Sequence, residues 1–272
     1  MILKEFVGNL PVVLLENPKR YVTLWKIQGN FMILKEHHDP MGAAIWDYFH
    51  SGEAERLVVQ SSMFEDDELP AACLFRAEEE MPAWERTALR LCRGRVLDVG
   101  AGAGCHSLVL QERGLNVTAI DISPLSVQTM RERGVQRAFA ADVMDGEREE
   151  LAGPFDTLLL LMNGLGISGR LHRLPQFLSR LKELLAPDGQ ILADSSDIRY
   201  IYEDEDGALL YDGQGFYGEV DYQMVYGHCR GPRFHWLYVD FERLRLAAAS
   251  VGLQAEMLEA GPSHEYLVRL CR

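Results

Sequence analysis

The run Arg95-Val-Leu-Asp-Val-Gly-Ala-Gly-Ala-Gly-Cys-His106 is an apolar stretch that opens into glycines at alternate positions, Gly100, Gly102 and Gly104, with Ala101 and Ala103 between them. Read as strand, turn and helix, it presents main-chain N–H groups to a ligand, because glycine lets the backbone come close and a helix start has free donors. Asp98, two residues ahead of the first glycine, selects the ligand's charge. A pyrophosphate at this turn would be repelled by the carboxylate, and the spacing is not G-x-G-x-x-G. A cationic group without phosphate would be attracted.

Two further acids close later apolar runs. Asp121, followed by Ile122, ends NVTAID, where a carboxylate can accept hydrogen bonds from both ribose hydroxyls; a nicotinamide dinucleotide would use it the same way. Asp142 and the N–H of Val143 could read the amino group and a ring nitrogen of adenine. Three acids at three successive strand ends make a nucleoside pocket. S-adenosylmethionine (SAM) fits its charge, since SAM carries a sulfonium and an α-ammonium but no phosphate. His106, just inside the helix, could touch the cofactor's carboxylate or act as a base, though a helix position without chemistry is the simpler reading. Arg76 is either a clamp on that carboxylate or a surface arginine beside Glu78 to Glu80, and both readings stay open. Glu219 and Asp197 are candidate general bases, with Tyr217 a further catalytic candidate. Alignment of the reactants for in-line attack can itself be worth ~7–11 kcal/mol, so methyl transfer does not always need a base.

These residues must be held by an alternation of strands and helices. From Arg95 onward the apolar runs RVLDV, NVTAI, RAFAA, FDTLLLL, GQILAD, QAEMLEA and HEYLVRL alternate with helix-length segments, the rhythm of β-α units on a largely parallel sheet. Helices are expected over Pro82 to Cys92, Ser107 to Arg113, Ser126 to Arg133, Leu171 to Leu185 and Phe241 to Val251, with Gly114 and Gly134 as C-terminal caps. The insertion before Phe241 exceeds the usual connection. Within it, Tyr217 to Tyr226 and Phe234 to Asp240 predict an antiparallel hairpin around the turn-rich GHCRGPR, covering the functional edge of the sheet. Near the start, YVTLWKI and FMILKE predict another hairpin, PMGAAIWDYFHSGE a helix and FEDDELP a loop.

VLDVGAGAG, AIDIS, ADVMD and FDTLLLLMN resemble motifs I to IV of the class I SAM-dependent methyltransferases, over roughly residues 75 to 272. The resemblance implies a Rossmann-like α/β fold: a seven-stranded, mostly parallel sheet ending in an antiparallel hairpin. It places Asp98, Gly100, Gly102 and Gly104 around the methionine moiety, Asp121 on the ribose, Asp142 and Val143 at adenine, and Met162 and Asn163 beside the sulfonium. S-adenosyl-L-homocysteine (SAH) would be the product. The chain departs from two branches of the family. Met162-Asn163-Gly164-Leu165 is not the Asn/Asp-Pro-Pro-aromatic of nucleic-acid amino-methylating enzymes, and the acid set of metal-dependent catechol-type enzymes is incomplete, so no catalytic metal is expected.

Composition narrows the rest. The 272 residues, 47% hydrophobic and 25% charged, suit one large core with a smaller unit: an accessory segment over 1–80 and a methyltransferase core over 81–272 with an inserted cap at about 198–239. A net charge of −14 opposes binding to a phosphate backbone, so a small or medium-sized acceptor is expected and a nucleic acid is not. No apolar run is long enough for a membrane span, and Glu5 sits where a signal peptide would be basic. Five scattered cysteines suit reducing cytoplasm and neither a disulfide framework nor a zinc site. The rival readings are a nicotinamide-dependent oxidoreductase, opposed by Asp98, an aminopropyltransferase, for which no acidic polyamine site is found, and a SAM-binding module without catalysis. The oligomeric state is open.

Overall fold

The computed structural model describes residues 5–6, 11–12, 32–204, 206, 208, 210–211, 213 and 215–272. The chain divides into two compact units, Met1–Phe31 and Met32–Arg272. Of the first, the described part is a pair of short antiparallel strands, β1 (Glu5–Phe6) and β2 (Pro11–Val12). The early hairpin expected over YVTLWKI and FMILKE lies outside the described residues up to Phe31; residues 32–35 form no strand, and Glu36–His38 is a 3-10 turn.

The second unit begins with helix α1 (Pro40–Ser51), and its start is dictated locally. Asp39 accepts the N–H of Gly42 at 2.9 Å as N-cap, Pro40 occupies the first turn where its missing N–H costs nothing, and Gly52 closes the helix at φ 77°. Strands β3 (Leu57–Ser61) and β4 (Asp67–Glu68) follow. The expected FEDDELP loop therefore contributes two residues to a strand, because Asp67 and Glu68 pair with Val59 and Val58.

Next come α2 (Ala83–Leu91), β5 (Arg95–Val99), α3 (Cys105–Glu112), β6 (Asn116–Asp121), α4 (Pro124–Glu132), β7 (Ala138–Ala140) and β8 (Phe155–Leu160). After them run α5 (Leu174–Leu184), β9 (Leu185–Ser196), β10 (Glu219–Tyr226), β11 (Cys229–Leu237), α6 (Phe241–Ser250), β12 (Gln254–Ala260) and β13 (Glu265–Cys271). Gly114 (φ 81°) and Gly134 (φ 100°) sit just beyond α3 and α4, where caps were expected. The predicted helix over Leu171 to Leu185 is shorter: Pro175 falls in its first turn, so α5 starts at Leu174 after a 3-10 turn over Leu171–Arg173.

The seven-stranded sheet has the order β12-β13-β9-β8-β5-β6-β7. Its five central and edge strands from β9 to β7 are parallel, and β13 joins antiparallel to β9 and β12. The expected Rossmann-like sheet with a terminal antiparallel hairpin is the one observed. Both faces are covered, which is why β8 reads as an unbroken apolar run. Leu158 and Leu160 pack with Leu178 of α5 and Leu244 of α6, while Leu159 packs on the other face with Leu89 of α2 and Leu110 of α3.

A second sheet, β11-β10-β3-β4, is antiparallel throughout. The inserted hairpin is present but turns more tightly than expected. Its reversal is Gly227-His228, with Gly227 at φ 52°, and β11 already begins at Cys229, the register being adjusted by a bulge between Gln223 and Val225.

Candidate active site

The glycine turn lies at the C-terminal end of β5, where open parallel sheets bind ligands. Gly100, Gly102 and Gly104 have φ of 73°, 56° and 81°, conformations a side chain disfavours. The N–H groups of Gly100 and Ala101 are tied to Ile120 O of the neighbouring strand at 2.9 and 3.0 Å, which fixes the turn against β6. A Cβ added at Gly102 would meet nothing nearer than Leu74 Cδ2 at 3.8 Å, so the turn is open on that side. Asp98, 2% exposed, accepts the Ser107 hydroxyl at 2.6 Å. Burial pushes its carboxyl above the usual range, against the pull of His106 and Ser107.

Asp121 ends β6 beside this turn. Its Oδ2 accepts the N–H of Gly102 and its Oδ1 that of Ser123, each at 2.9 Å. Burial, joined by the charges of Asp39 and Asp98, still raises its pKa to about 6. Asp142, after β7, accepts Met144 N–H at 2.9 Å and Met32 N–H at 3.1 Å, while Leu34 N–H donates to Ile122 O at 2.9 Å. Residues 32–34 therefore pass along the ends of β6 and β7. Val143 is buried beside Asp142.

At the end of β8, Met162 and Asn163 are successive non-glycine residues at positive φ, 62° and 58°. Such strain persists only where the surroundings over-determine it. Here Asp194 Oδ1 accepts Gly164 N–H at 3.3 Å and the Ser196 hydroxyl donates to Asn163 Oδ1 at 2.9 Å. Burial raises Asp194 to about 7. Met162 packs with Leu74, Phe75, Ile45 and Ala103, so α1 and the segment Ala71–Phe75 form a roof over the glycine turn.

Two of the three catalytic candidates come together. Tyr217 OH donates to Asp197 Oδ1 at 2.8 Å and lies 3.5 Å from Asp240 Oδ2. Burial, then Asp197 and Asp240, hold the phenol far above its usual pKa, so it stays a donor. Glu219 lies apart from this pair: its oxygens accept Leu171 N–H at 2.8 Å and the Arg170 guanidinium at 3.4 Å. Arg76 and His106 both pair with Glu85, a residue the sequence did not mark. The N-cap bond of Asp39 was readable in Asp39-Pro40, whereas its 2.5 Å bond from the Ser123 hydroxyl, across 84 positions, was not. Among the described residues no group of three His, Cys, Asp or Glu is placed to hold a metal ion, and no helix is long and apolar enough to cross a membrane. Each of the five cysteines is free.

A parallel sheet in this order, a glycine turn guarded by an acid and acids closing the next two strands define a Rossmann-like methyltransferase fold. Residues 96–189 match the family described as methyltransferase domain. A SAM-dependent methyltransferase from Bacteroides fragilis, solved in complex with SAH, is 51% identical, with a TM-score of 0.83 over 89% of this chain and 98% of that one. The chain belongs to the SAM-dependent methyltransferase family. The ubiquinone biosynthesis O-methyltransferase of Xanthomonas euvesicatoria pv. vesicatoria is 32% identical over 114 residues, 40% of this chain and 48% of that protein. The chain thus spans about half the length of the curated relatives it matches. The CcbJ methyltransferase of Streptomyces caelestis shares the fold at 12% identity, with a TM-score of 0.57 over 86% of this chain and 98% of that one.

Proposed function

We propose that this protein binds SAM and transfers its methyl group to a small-molecule acceptor. The observation that carries the reading is the buried Asp98 at a glycine turn whose open side lies beside Asp121: an acid where a dinucleotide would put phosphate. The residues fit the cofactor. Asp98, Gly100, Ala101, Gly102 and Gly104 take the methionine end with Arg76 and His106; Asp121 and Ile122 take the ribose, Asp142 and Val143 the adenine, and Met162 and Asn163 the region of the sulfonium. SAM supplies a methyl group already activated for transfer. The protein's part is to align the acceptor and exclude water.

The cap and the roof do that work. Tyr217, fixed as a donor on Asp197, orients the acceptor's polar group, and Asp197 takes its proton where one must leave. Glu219 serves by tying β10 to Arg170 and Leu171. The curated relatives named as O-methyltransferases support a small acceptor, as does the net charge of −14, which opposes nucleic acid. We read residues 1–80 as the accessory segment and 81–272 as the core with its cap at about 198–239, working in the cytoplasm.

The test is binding followed by turnover. SAM and SAH should raise the thermal stability of the purified protein and NADH should not; a ligand at a hundred times its Kd adds ~2.7 kcal/mol. With an acceptor found by screening with methyl-labelled SAM, Tyr217→Phe should leave SAH affinity unchanged and lower kcat roughly a hundredfold. Stabilisation by NADH alone would overturn the cofactor, and an unchanged kcat would remove Tyr217 from the acceptor site.

A further inference from the structure

Glu85 lies on α2, not on one of the strand ends that carry the cofactor residues, and its side chain is only 4% exposed. A buried carboxylate is costly unless it is paired. Here one carboxylate serves two cations on two other segments. Its Oε2 takes His106 Nε2 at 2.9 Å and one Arg76 nitrogen at 3.0 Å, and its Oε1 is 3.2 Å from that same nitrogen. Burial works to raise the Glu85 pKa, but His106 and Arg76 outweigh it and hold it below the ordinary value.

Arg76 is left with an unused donor. Its Nε is buried and has no hydrogen-bond partner among the described residues. An arginine fork matched to Glu85 alone would engage two of its nitrogens. His106 occupies the first turn of α3, directly after Gly104, and its side chain is 6% exposed. The groups that face it are Glu85 from α2, Asp98 from β5, Asp194 from β9 and its own neighbour Cys105. Burial alone would strip its proton; Cys105, Glu85 and Asp98 outweigh burial and hold its pKa well above the usual histidine value. Arg76, Glu85, His106 and Asp98 thus form a buried run of alternating charge ending at the glycine turn.

An amino acid in zwitterionic form presents one anion and one cation, and such a run can meet both. We propose that Glu85 is a positioning residue, a buried carboxylate that holds Arg76 and His106 together beside the glycine turn as the cationic receptor for the α-carboxylate of the cofactor. The proposal rests on the SAM reading above. Asp98 then remains for the α-ammonium.

The experiment compares SAH with 5′-methylthioadenosine, which has the same nucleoside and thioether but no amino-acid end, by calorimetry. In Glu85→Gln the affinity for SAH should fall at least about tenfold while that for methylthioadenosine stays within about twofold. SAH affinity in the wild type should weaken at alkaline pH as His106 loses its proton, and in Glu85→Gln this weakening should begin at lower pH. Arg76→Met, which spares the Glu85–His106 pair, should show the same selective loss of SAH and guards against a Glu85 variant that fails to fold. Equal losses for both ligands, or none for either, would overturn the role of Glu85. A wild type that binds neither ligand would overturn the SAM reading itself.

Discussion

If Asp121 is the ribose acceptor, cofactor binding must expel a proton. In the free protein the Asp121 oxygens already accept the Gly102 and Ser123 amides at 2.9 Å, yet burial with Asp39 and Asp98 nearby raises its pKa to about 6. A carboxylate has about four acceptor sites, so room remains for two ribose hydroxyls, and each donated bond favours the ionised form. With a free pKa of about 6, roughly nine-tenths of the molecules hold this proton at pH 5 and a tenth at pH 7. If the bound pKa returns to about 3.9, SAH binding releases ~0.8 proton at pH 5 and tightens about ninefold, ~1.3 kcal/mol, from pH 5 to pH 7. Calorimetry at each pH in two buffers of unlike ionisation enthalpy reads the proton count directly. Asp121→Asn should abolish the release and flatten the affinity across that window. A wild type that releases no proton at pH 5, or a variant that releases as much, refutes the placement of Asp121 on the ribose.

Two predictions concern the fold around the site. Gly102→Ala should cost ~1–2 kcal/mol in denaturant unfolding for its positive φ alone, and lose more in SAH affinity because its methyl enters the open side of the turn. Gly104→Ala should do the reverse: its Cβ would stand 3.0 Å from both Met130 and Val135, so stability suffers more than affinity, and indistinguishable profiles would contradict this division. Asp194, raised to about 7 by burial, contributes stability that is full below the unfolded value near 3.8 and is lost as pH rises through about 7. The term is up to about 4 kcal/mol. Asp194→Asn keeps the acceptor for Gly164 and should remove this slope, leaving the variant at least as stable as wild type at pH 8; a slope that persists assigns the titration elsewhere.

The strand ends were legible because local rules decide them. A parallel strand covered on both faces must be apolar along its length, as Leu158 to Leu160 are, and a turn with three positive φ values needs Gly100, Gly102 and Gly104. Helix starts at Asp39-Pro40 and Asp240 follow from capping, each with a side-chain acceptor on the N–H three residues ahead; Ser123 caps α4 in the same way, which moves its start to Pro124 from the Ser126 expected. What pairs with what was less legible. Val58 and Val59 read as β-branched residues anywhere, and nothing local says that their partners are Val225 and Met224. Glu85 is one acid of many in an acidic chain; only the fold sets it between Arg76 and His106.

That long-range pairing changes what residues 32–80 are. They supply β3 and β4 to the sheet whose other two strands, β10 and β11, come from the insertion, so this second sheet is built from two distant stretches of chain. The join is polar as well as apolar: Tyr226 OH donates to Asp47 Oδ2 at 2.8 Å and accepts the Glu55 N–H at 3.1 Å. At the other end of α1, Asp39 takes the Ser123 hydroxyl at 2.5 Å, and the N–H of that same Ser123 is held by Asp121. One helix therefore links the cap sheet to the acid at the end of β6. Asp39 and Ser123 are buried and Asp47 is exposed, so the link is tighter at the Asp121 end than at the cap sheet. In this architecture the segment before the glycine turn is joined to both sheets, through Asp39 at the start of α1 and Asp47 further along the same helix.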